Sequence, residues 1–366
     1  MQLGLAHALV DLASGWLVFF HLGHGRHEQA FVLGMVVLYS VLAFGLQAPL
    51  GWLADRRAAW QVFAVAGTVL PAAGLVAGGF APLAGVVLLG VGNALFHVGA
   101  GAHVLRASGD RATESGVFVG PGAVGLAAGI WLGAHGYDVG LVVAAALLAT
   151  AVPVSRLTDS TRAGTSALPR VGRALWPAVI LCLGLLFVGV CLRALGGGVV
   201  AAAWRAEVPQ VVMGLALFAC LGKMAGGFLG DRIGWLPVGV AGLVLSAPLF
   251  GFLLWSPLAA MLGMMLFQIP MSLTLKATHH LMPDRPGLAF GIPCLALLLG
   301  ALPGMLGLTT GLRAPALVLA LVLVAAALVG AGLVAVAWLG ASLGPAGPVG
   351  TGALLRRADA AAPTAG

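Results

Sequence analysis

Two stretches of the sequence share one pattern: GWLADRR at residues 51–57 and GGFLGDRIGW at residues 226–235 both contain Gly-x-Leu-x-Asp-Arg. Asp55 and Asp231 lie 176 positions apart, about half of the 366-residue chain. A pattern that recurs at such a distance indicates a module present twice. In a chain with only 8% charged residues, the repeated Asp-Arg pair also predicts a short polar turn between long apolar segments.

The composition is that of a membrane protein. Hydrophobic residues make up 61% of the chain, the mean hydropathy is +1.08, and there are only 18 Lys and Arg and 11 Asp and Glu residues. So few charges cannot cover the surface of a soluble protein of this length. Residues 58–105, 233–275 and 314–355 carry none of these four residue types, and each run exceeds one membrane span of about 20 residues. The sequence predicts a multi-pass protein of the inner or plasma membrane.

Cutting the apolar runs at charges and at Gly or Pro turns predicts an all-α membrane protein with twelve transmembrane helices. The expected ranges are 3–22, 29–50, 58–77, 82–105, 115–136, 139–155, 174–196, 208–229, 234–254, 257–280, 287–309 and 314–340. Continuous Ala, Leu, Val and Gly runs favour helices over a barrel, and the 56 glycines indicate close helix contacts. The polar stretch at 156–173 is interpreted as a cytoplasmic linker between two six-helix bundles, 1–155 and 174–341. Residues 342–366 are expected to form a disordered cytoplasmic tail.

The basic residues predict the orientation. With both termini in the cytoplasm, 12 of the 18 Lys and Arg residues fall on cytoplasmic loops or the tail. Positively charged loops stay on the cytoplasmic side of a membrane. These arginines would face anionic lipid, so the high pI does not require nucleic acid as a partner.

The arrangement resembles the major facilitator superfamily, in which two pseudo-symmetric six-helix bundles carry this loop motif after span 2 and span 8. The resemblance implies a secondary active transporter that works by alternating access, with no enzymatic activity, no cofactor, and a small molecule and protons as its partners. It also implies that both bundles enclose the pathway in one chain, so a monomer is expected. The resemblance further implies that the two motifs control which side of the transporter opens, through Gly51, Asp55, Arg56, Gly227, Asp231 and Arg232.

Span 5 adds a second point of resemblance. Gly116-x-x-x-Gly120-Pro121 is similar to the antiporter motif of the superfamily's exporters, and Phe118-x-x-Pro121 matches Phe290-x-x-Pro293 in the other half. The segments Asn93-Ala-Leu-Phe-His97 and His7-Ala-Leu-Val-Asp11 most resemble the fosmidomycin-resistance-like efflux branch. Proton-coupled efflux of a small organic, anionic or drug-like compound is therefore the leading functional hypothesis, with Gly120 and Pro121 as gating residues.

Ionisable residues within predicted spans are expensive at bilayer depth and are therefore functional candidates. His7 and Asp11 stand at i and i+4 on one helix face, and we expect Asp11 to be the proton site with His7 as its tuning partner. A structural pairing near the interface is the alternative. Both residues are placed in the proton-coupling step by this hypothesis.

Further polar residues are candidates for the substrate pathway. Arg193 precedes Gly196-Gly197-Gly198, which favours a break in the helix and a cationic segment for an anionic group, or else a side chain that snorkels to the outer surface. Lys223 could point into the pathway, whereas Lys276 is expected to snorkel to the interface. Asn93, His97 and Gln268 could line the cavity or join helices by hydrogen bonds.

A transition-metal transporter is the second functional hypothesis. His21, His24 and His27 lie on the first outer loop, and Met261 and Met265 lie on span 10. Imidazole and thioether groups suit such metals, the latter Cu(I). A non-transporting receptor or an intramembrane enzyme is the third, although the chain lacks HExxH and GxSxG and has no complete phosphate-binding loop.

Overall fold

The computed structural model describes residues 1–23, 28–157, 175–204 and 209–342, and within them every regular element is helical. The α-helices are α1 (Gln2–Leu17), α2 (Gln29–Ser40), α3 (Gln47–Arg57), α4 (Trp60–Gly78), α5 (Pro82–Ala107), α6 (Thr113–Ala134), α7 (Gly140–Ser155), α8 (Trp176–Trp204), α9 (Pro209–Ile233), α10 (Trp235–Phe252), α11 (Pro257–Gln268), α12 (Pro270–Leu281), α13 (Pro286–Met305) and α14 (Pro315–Ser342).

These helices form the twelve predicted spans. A π-helical turn, Val18–Leu22, extends α1, and a second one, Val41–Gly45, joins α2 to α3 in a single span. The helices α11 and α12 meet at Ile269 and also form one span. Eleven of the resulting spans in the described residues are long and apolar enough to cross a membrane, and α7 is a shorter apolar helix of 16 residues.

Two spans end well beyond the predicted residues, and α9 also continues past residue 229 to Ile233. Span 2 continues to Arg57 rather than ending near residue 50, and α8 continues without interruption to Trp204. The predicted break at Gly196-Gly197-Gly198 is therefore wrong, because the helix hydrogen bonds carry on through the three glycines. Most of the linker and nearly all of the tail lie outside the described residues, so these domain boundaries stay predictions.

The buried apolar side chains form two clusters, one mainly in each half, with several residues of α12 and α13 joining the N-terminal one. Trp16 and Phe96 are fully buried in the N-terminal half, and Trp235, Phe250 and Phe267 in the C-terminal half. On the outside of the molecule large apolar side chains are exposed instead, among them Leu141 (74%), Val142 (70%) and Ile180 (63%). A molecule with apolar groups on both its inside and its outside is stable in lipid, as a multi-pass membrane protein requires.

Glycines allow the helix backbones to touch. A Cβ atom on Gly125 of α6 would lie 2.0 Å from the carbonyl oxygen of Ala8 in α1, and one on Gly129 would lie 2.1 Å from that of Leu12. In the other half, a Cβ on Gly222 of α9 would lie 2.0 Å from the carbonyl oxygen of Met265. Small residues at such contacts are the usual way for membrane helices to pack closely.

This packing predicts the effect of one added methyl group. We expect Gly125→Ala to lower the free energy of unfolding by about 1–3 kcal/mol, because α1 and α6 must separate to admit the side chain. Gly34→Ala is the matched control, since its Cβ would meet nothing within 4 Å. The measurement is thermal unfolding in detergent micelles. Equal unfolding temperatures for the two variants would contradict the close contact.

Candidate functional site

Both copies of the repeated motif end a helix. Asp55 lies in the last turns of α3 and Asp231 in those of α9, so the prediction of a polar turn at these positions was wrong. The chain reverses just afterwards, at Ala58 (φ 48°) and Gly234 (φ 122°), where the backbone takes positive φ angles. The side chain of each aspartate binds groups across the molecule rather than in a turn of its own.

Asp55 binds the start of a helix in the opposite half. Its Oδ1 and Oδ2 atoms accept hydrogen bonds from the backbone N–H groups of Gly287 and Leu288, at 2.8 Å each, in the first turn of α13. Gly51, one turn before Asp55, makes this approach possible, since a Cβ there would lie 2.3 Å from the Gly287 carbonyl oxygen. The Trp60 indole N–H donates to Oδ1 at 2.8 Å and fixes the carboxylate.

Asp231 repeats the arrangement in the reverse direction. It accepts hydrogen bonds from the backbone N–H groups of Ala112 (2.8 Å) and Thr113 (2.9 Å) at the start of α6, and from the Thr113 hydroxyl at 2.6 Å. A Cβ on Gly227, again one turn earlier, would lie 2.5 Å from the Ala112 carbonyl oxygen. The Trp235 indole N–H donates to Oδ1 of Asp231 at 3.2 Å. Each half of the chain therefore caps a helix of the other half.

The two tryptophans were missed by sequence reasoning although the signal was present. Trp60 follows Asp55 by five residues and Trp235 follows Asp231 by four, so a tryptophan accompanies both copies of the motif. The motif arginines point elsewhere: the Arg56 guanidinium lies 5.3 Å from the centre of the Trp52 ring. Arg232 lies 3.8 Å from the centre of the Phe228 ring.

Span 5 forms a second contact between the halves. A Cβ on Gly116 of α6 would lie 2.5 Å from the carbonyl oxygen of Lys223 in α9, and one on Gly120 would lie 2.9 Å from the Met224 side chain. Pro121 follows directly inside α6. The glycines of the Gly-x-x-x-Gly-Pro pattern thus bring α6 against α9 along the turns next to the Asp231 cap.

Lys276 is buried rather than snorkelling, which corrects the expectation for this residue. Its side chain in α12 is 0% exposed, and its Nζ donates to the Leu105 carbonyl oxygen at 2.9 Å and to the Ser108 hydroxyl at 2.8 Å. Both acceptors lie at the end of α5 in the other half. A cation at a helix C-terminus is favoured by the helix dipole. The contacts made by Asp55, Asp231 and Lys276 close the two halves together at this end of the molecule.

A polar cluster lies deeper in the N-terminal half. His7 Nε2 is 3.1 Å from Asp11 Oδ2 and 2.8 Å from Nε2 of His97 in α5. Asn93 Nδ2 donates to Asp11 Oδ1 at 3.0 Å, and His7 Nδ1 lies 2.8 Å from the carbonyl oxygen of Phe118. Both histidines and Asn93 are buried, whereas the Asp11 side chain is 17% exposed. The structure therefore brings together four of the predicted site residues from α1 and α5.

Aromatic rings and a glycine of α6 pack tightly against one side of the cluster. The centre of the His7 ring lies 4.9 Å from that of the Phe118 ring, which in turn lies 5.9 Å from the ring of Phe290 in α13. A Cβ on Gly122 of α6 would lie 2.4 Å from His7 Nε2 and 2.5 Å from Asp11 Oδ2. Only a glycine leaves room for these two polar atoms, so α6 is shaped around the cluster.

The distances between the side-chain nitrogen and oxygen atoms of the cluster indicate whether it could bind a metal ion. His7, Asp11 and His97 are the one group of three ligand-type side chains in the described residues whose ligand atoms lie within 4.8 Å of one another. Two tetrahedral bonds of zinc to nitrogen would hold the nitrogen atoms roughly 3.3 Å apart. The two Nε2 atoms are 2.8 Å apart, a hydrogen-bond length. The geometry fits a shared proton better than a coordinated ion.

Arg193 is buried inside the C-terminal half rather than snorkelling to the outer surface, which was the alternative for this residue. It is 2% exposed, and Nη2 donates to Gln268 Oε1 at 3.1 Å while Nη1 lies 3.8 Å from the Met271 sulfur. The guanidinium lies 5.4 Å from the centre of the Phe267 ring, and its Nε has no hydrogen-bond partner among the described residues. None of these contacts neutralises the positive charge, and a buried cation without a counter-ion is costly.

Lys223 connects the two halves of the site. Its Nζ donates to the Val119 carbonyl oxygen at 3.4 Å, next to the Phe118 carbonyl that holds His7. Adjacent carbonyl groups of α6 thus bind a cation from the C-terminal half and a histidine from the N-terminal half. This places Lys223 at the boundary between the acidic cluster and Arg193.

The residues of the metal hypothesis do not form one site in the described part of the chain. The Met261 side chain packs where a Cβ on Gly214 of α9 would lie, at 2.2 Å, and Met265 contacts Gly222 through its backbone. His21 lies in the π-helical turn after α1. His24 and His27 are outside the described residues.

Searches against protein-family models and against curated proteins find no match. Solved structures do match: the E. coli fucose:proton symporter FucP has a TM-score of 0.63 at 13% identity and covers 92% of this chain and 97% of its own. The human organic anion transporter MFSD10 has a TM-score of 0.66 at 16% identity, and the match covers 90% of this chain and 97% of MFSD10. A bacterial homologue of the iron transporter ferroportin, in an outward-facing state, has a TM-score of 0.55 at 17% identity. The match covers 93% of this chain and 98% of the homologue.

The chain has the major facilitator fold. This confirms the predicted fold class of two six-helix bundles, and at identities of 13–17% the likeness extends to the fold alone. The fosmidomycin-resistance-like branch stays a prediction.

Asp55 and Asp231, each of which caps a helix of the other half, are expected to control how easily the two halves separate at this end. We expect Asp55→Asn or Asp231→Asn to weaken the closure by about 1 kcal/mol each, because the amide accepts fewer backbone N–H bonds and has no charge to offer the helix dipole. An open population should then rise roughly five-fold per substitution. The measurement is the distance distribution between spin labels at Arg57 and Ile233, with the native cysteines replaced.

Asp284→Asn is the matched control, since this exposed carboxylate lies three residues before Gly287 at the same end. Its distance distribution should equal that of the wild type. An unchanged distribution in the double variant at Asp55 and Asp231 would show that the caps do not hold the halves together.

Proposed function

We propose that the protein is a secondary active transporter that couples the movement of a small organic anion to protons by alternating access. The observation that carries the proposal is the pairing of two buried sites: an Asp-His-His cluster in one half and an uncompensated arginine in the other. Buried ionisable groups are costly in a membrane protein, so sites of this kind mark transport pathways. The major facilitator fold supplies two halves that could rock around them.

The acidic cluster is the proposed proton site. Asp11 is held by His7 and Asn93, and an imidazole beside a carboxylate gives the site two groups that can bind a proton. The Asp11 side chain is partly exposed, while the histidines stay buried. A site that is buried but reachable can load a proton from one side and release it to the other.

Arg193 is the proposed anchor for an anionic group of the substrate. Within the described part of the chain its charge has only neutral partners, Gln268, Met271 and the Phe267 ring, and its Nε–H group has no hydrogen-bond acceptor. Phe267 and the glycine face of α8 beside it offer an apolar wall for the rest of the compound. The structurally similar MFSD10 is an organic anion transporter, which supports the same substrate class by analogy.

We further propose that transport is exchange, so that the compound leaves as protons enter. The support is the resemblance of the span 5 pattern to exporters and its position in the contact between α6 and α9, where Gly116 and Gly120 pack against Lys223 and Met224. With both termini in the cytoplasm, the closed end is the cytoplasmic one. Asp55 and Asp231 would then hold the cytoplasmic gate closed.

The proton site is tested by Asp11→Asn in reconstituted vesicles. An imposed pH gradient should drive uphill transport by the wild type but not by the variant, whereas downhill exchange of the same compound should continue. Asp138→Asn, an exposed carboxylate in the loop after α6, is the control and should behave as the wild type. Wild-type uphill rates in Asp11→Asn would refute the assignment. Reversing the gradient distinguishes exchange from co-transport.

The anion site is tested by Arg193→Gln in a transport screen of phosphonates, organic anions, uncharged drugs and divalent metals. A hydrogen bond from a charged donor contributes about 1.5–3 kcal/mol. Its loss should therefore weaken the apparent affinity for the transported anion roughly 10- to 100-fold. Arg313→Gln removes an exposed arginine and should leave transport unchanged. Transport of only uncharged compounds or metals, unaffected by Arg193→Gln, would overturn the anionic substrate class.

A further inference from the structure

The two histidines of the buried cluster have fixed tautomers. His7 Nδ1 lies 2.8 Å from the Phe118 carbonyl oxygen, and His97 Nδ1 lies 2.9 Å from the Asn93 carbonyl oxygen. A carbonyl oxygen only accepts hydrogen bonds, so each Nδ1 must carry a proton and donate it. In a neutral imidazole the other nitrogen then has a lone pair and no proton. Both Nε2 atoms are therefore acceptors when both rings are neutral.

These two acceptors face each other. His7 Nε2 and His97 Nε2 are 2.8 Å apart, and His7 Nε2 is also 3.1 Å from Asp11 Oδ2. Two lone pairs at that distance, beside a carboxylate, repel one another unless a proton lies between them. The arrangement therefore requires one additional proton on the cluster.

The position of that proton follows from the distances. A proton on Asp11 Oδ2 could bond to His7 Nε2, but it would leave the 2.8 Å contact between the imidazoles without a hydrogen. A proton on His7 Nε2 faces both His97 Nε2 and Asp11 Oδ2 and relieves both contacts. His97 Nε2 is 4.0 Å from Asp11 Oδ1, too far for a hydrogen bond, so its close partner is the other imidazole.

We infer that the transported proton is shared by His7 and His97, and that Asp11 remains ionised as its counter-ion. This inference rests on the proposed proton coupling and changes two roles within it. His97 becomes part of the proton site rather than a wall of the substrate pathway. Asp11 becomes the group that stabilises the protonated imidazole pair. Asn93 supports this role because its amide N–H group donates to Asp11 Oδ1.

One cation from the other half lies near the pair, where it repels a protonated imidazole and attracts the Asp11 carboxylate. Lys223 of α9 places a positive charge near His97 and near Asp11. Tyr39 of α2 and Cys294 of α13 also lie in the field of Asp11. When the shared proton leaves, the Asp11 carboxylate loses its imidazolium partner, and Lys223 is the nearby cation that remains. Deprotonation thus strengthens the attraction between an acid in one half and a base in the other.

The inference is tested first by spectroscopy that does not depend on transport. In purified protein with ¹⁵N-labelled histidine, the Nε2 signals of His7 and His97 should change together over one pH range, and His97→Gln should abolish the shared step. Infrared difference spectra should show no protonated carboxyl band that disappears in Asp11→Asn. Such a band, or histidine signals unaltered in His97→Gln, would overturn the inference. So would one equivalent of a divalent metal bound by the wild type and lost in His97→Gln.

Transport by the same variants gives the second test. His7→Gln and His97→Gln should each reduce uphill accumulation to the level found without a pH gradient, and the double variant should be no worse than either. Additive losses in the double variant would mean two separate sites. His135→Gln is the matched control, since the ring of this exposed histidine also bonds to a carbonyl oxygen four residues earlier, that of Trp131 at 2.8 Å.

The two proposals fail in different ways. If the wild type shows no transport driven by a pH gradient, the proposed function fails, and the spectra still decide where the proton is bound. If the wild type is proton-driven and His97→Gln keeps full coupling, the shared-proton inference alone fails. His97→Asn is the second variant for the case in which His97→Gln does not fold.

Discussion

The structure depends on an exchange of helix caps between its two halves. The first N–H groups of a helix have no partner within the helix, and inside a membrane protein they need one. Asp55 satisfies those of α13, and Asp231 satisfies those of α6. Because each carboxylate belongs to the other half, the halves cannot separate at this end without exposing both helix starts. The repeated motif is therefore a contact between the halves as well as a mark of duplication.

The caps and the buried sites are linked through α6. This helix begins at the Asp231 cap and packs its Gly116 and Gly120 turns against α9. Further along, its carbonyl groups hold His7 and Lys223, and Gly122 makes room for the acidic cluster. A rigid helix that bears on both regions gives a physical route by which loading of the cluster could alter the closure. That link is part of the proposed mechanism.

Much of the fold and part of the site could be predicted from the sequence. Hydropathy and charge placed all twelve spans within a few residues, apart from the extended ends of span 2 and α8. The spacing of His7 and Asp11 indicated one helix face, as it did for Asn93 and His97. Nothing in the linear spacing indicated that these two faces meet. The sequence left the burial of Arg193 open and predicted the wrong position for Lys276, because a long basic side chain near a helix end can either snorkel or turn inward.

The sequence by itself determined the membrane class, the number of spans and the internal duplication, because these follow from composition and from local patterns. Only the tertiary structure decided which groups meet. Asp55 finds the start of α13 across more than 200 residues of chain, and His7 finds His97 from another helix. Such contacts depend on how glycine-lined helices pack in three dimensions. The direction of hydrogen bonds at two imidazoles, and hence the place of a proton, is a property of that packing.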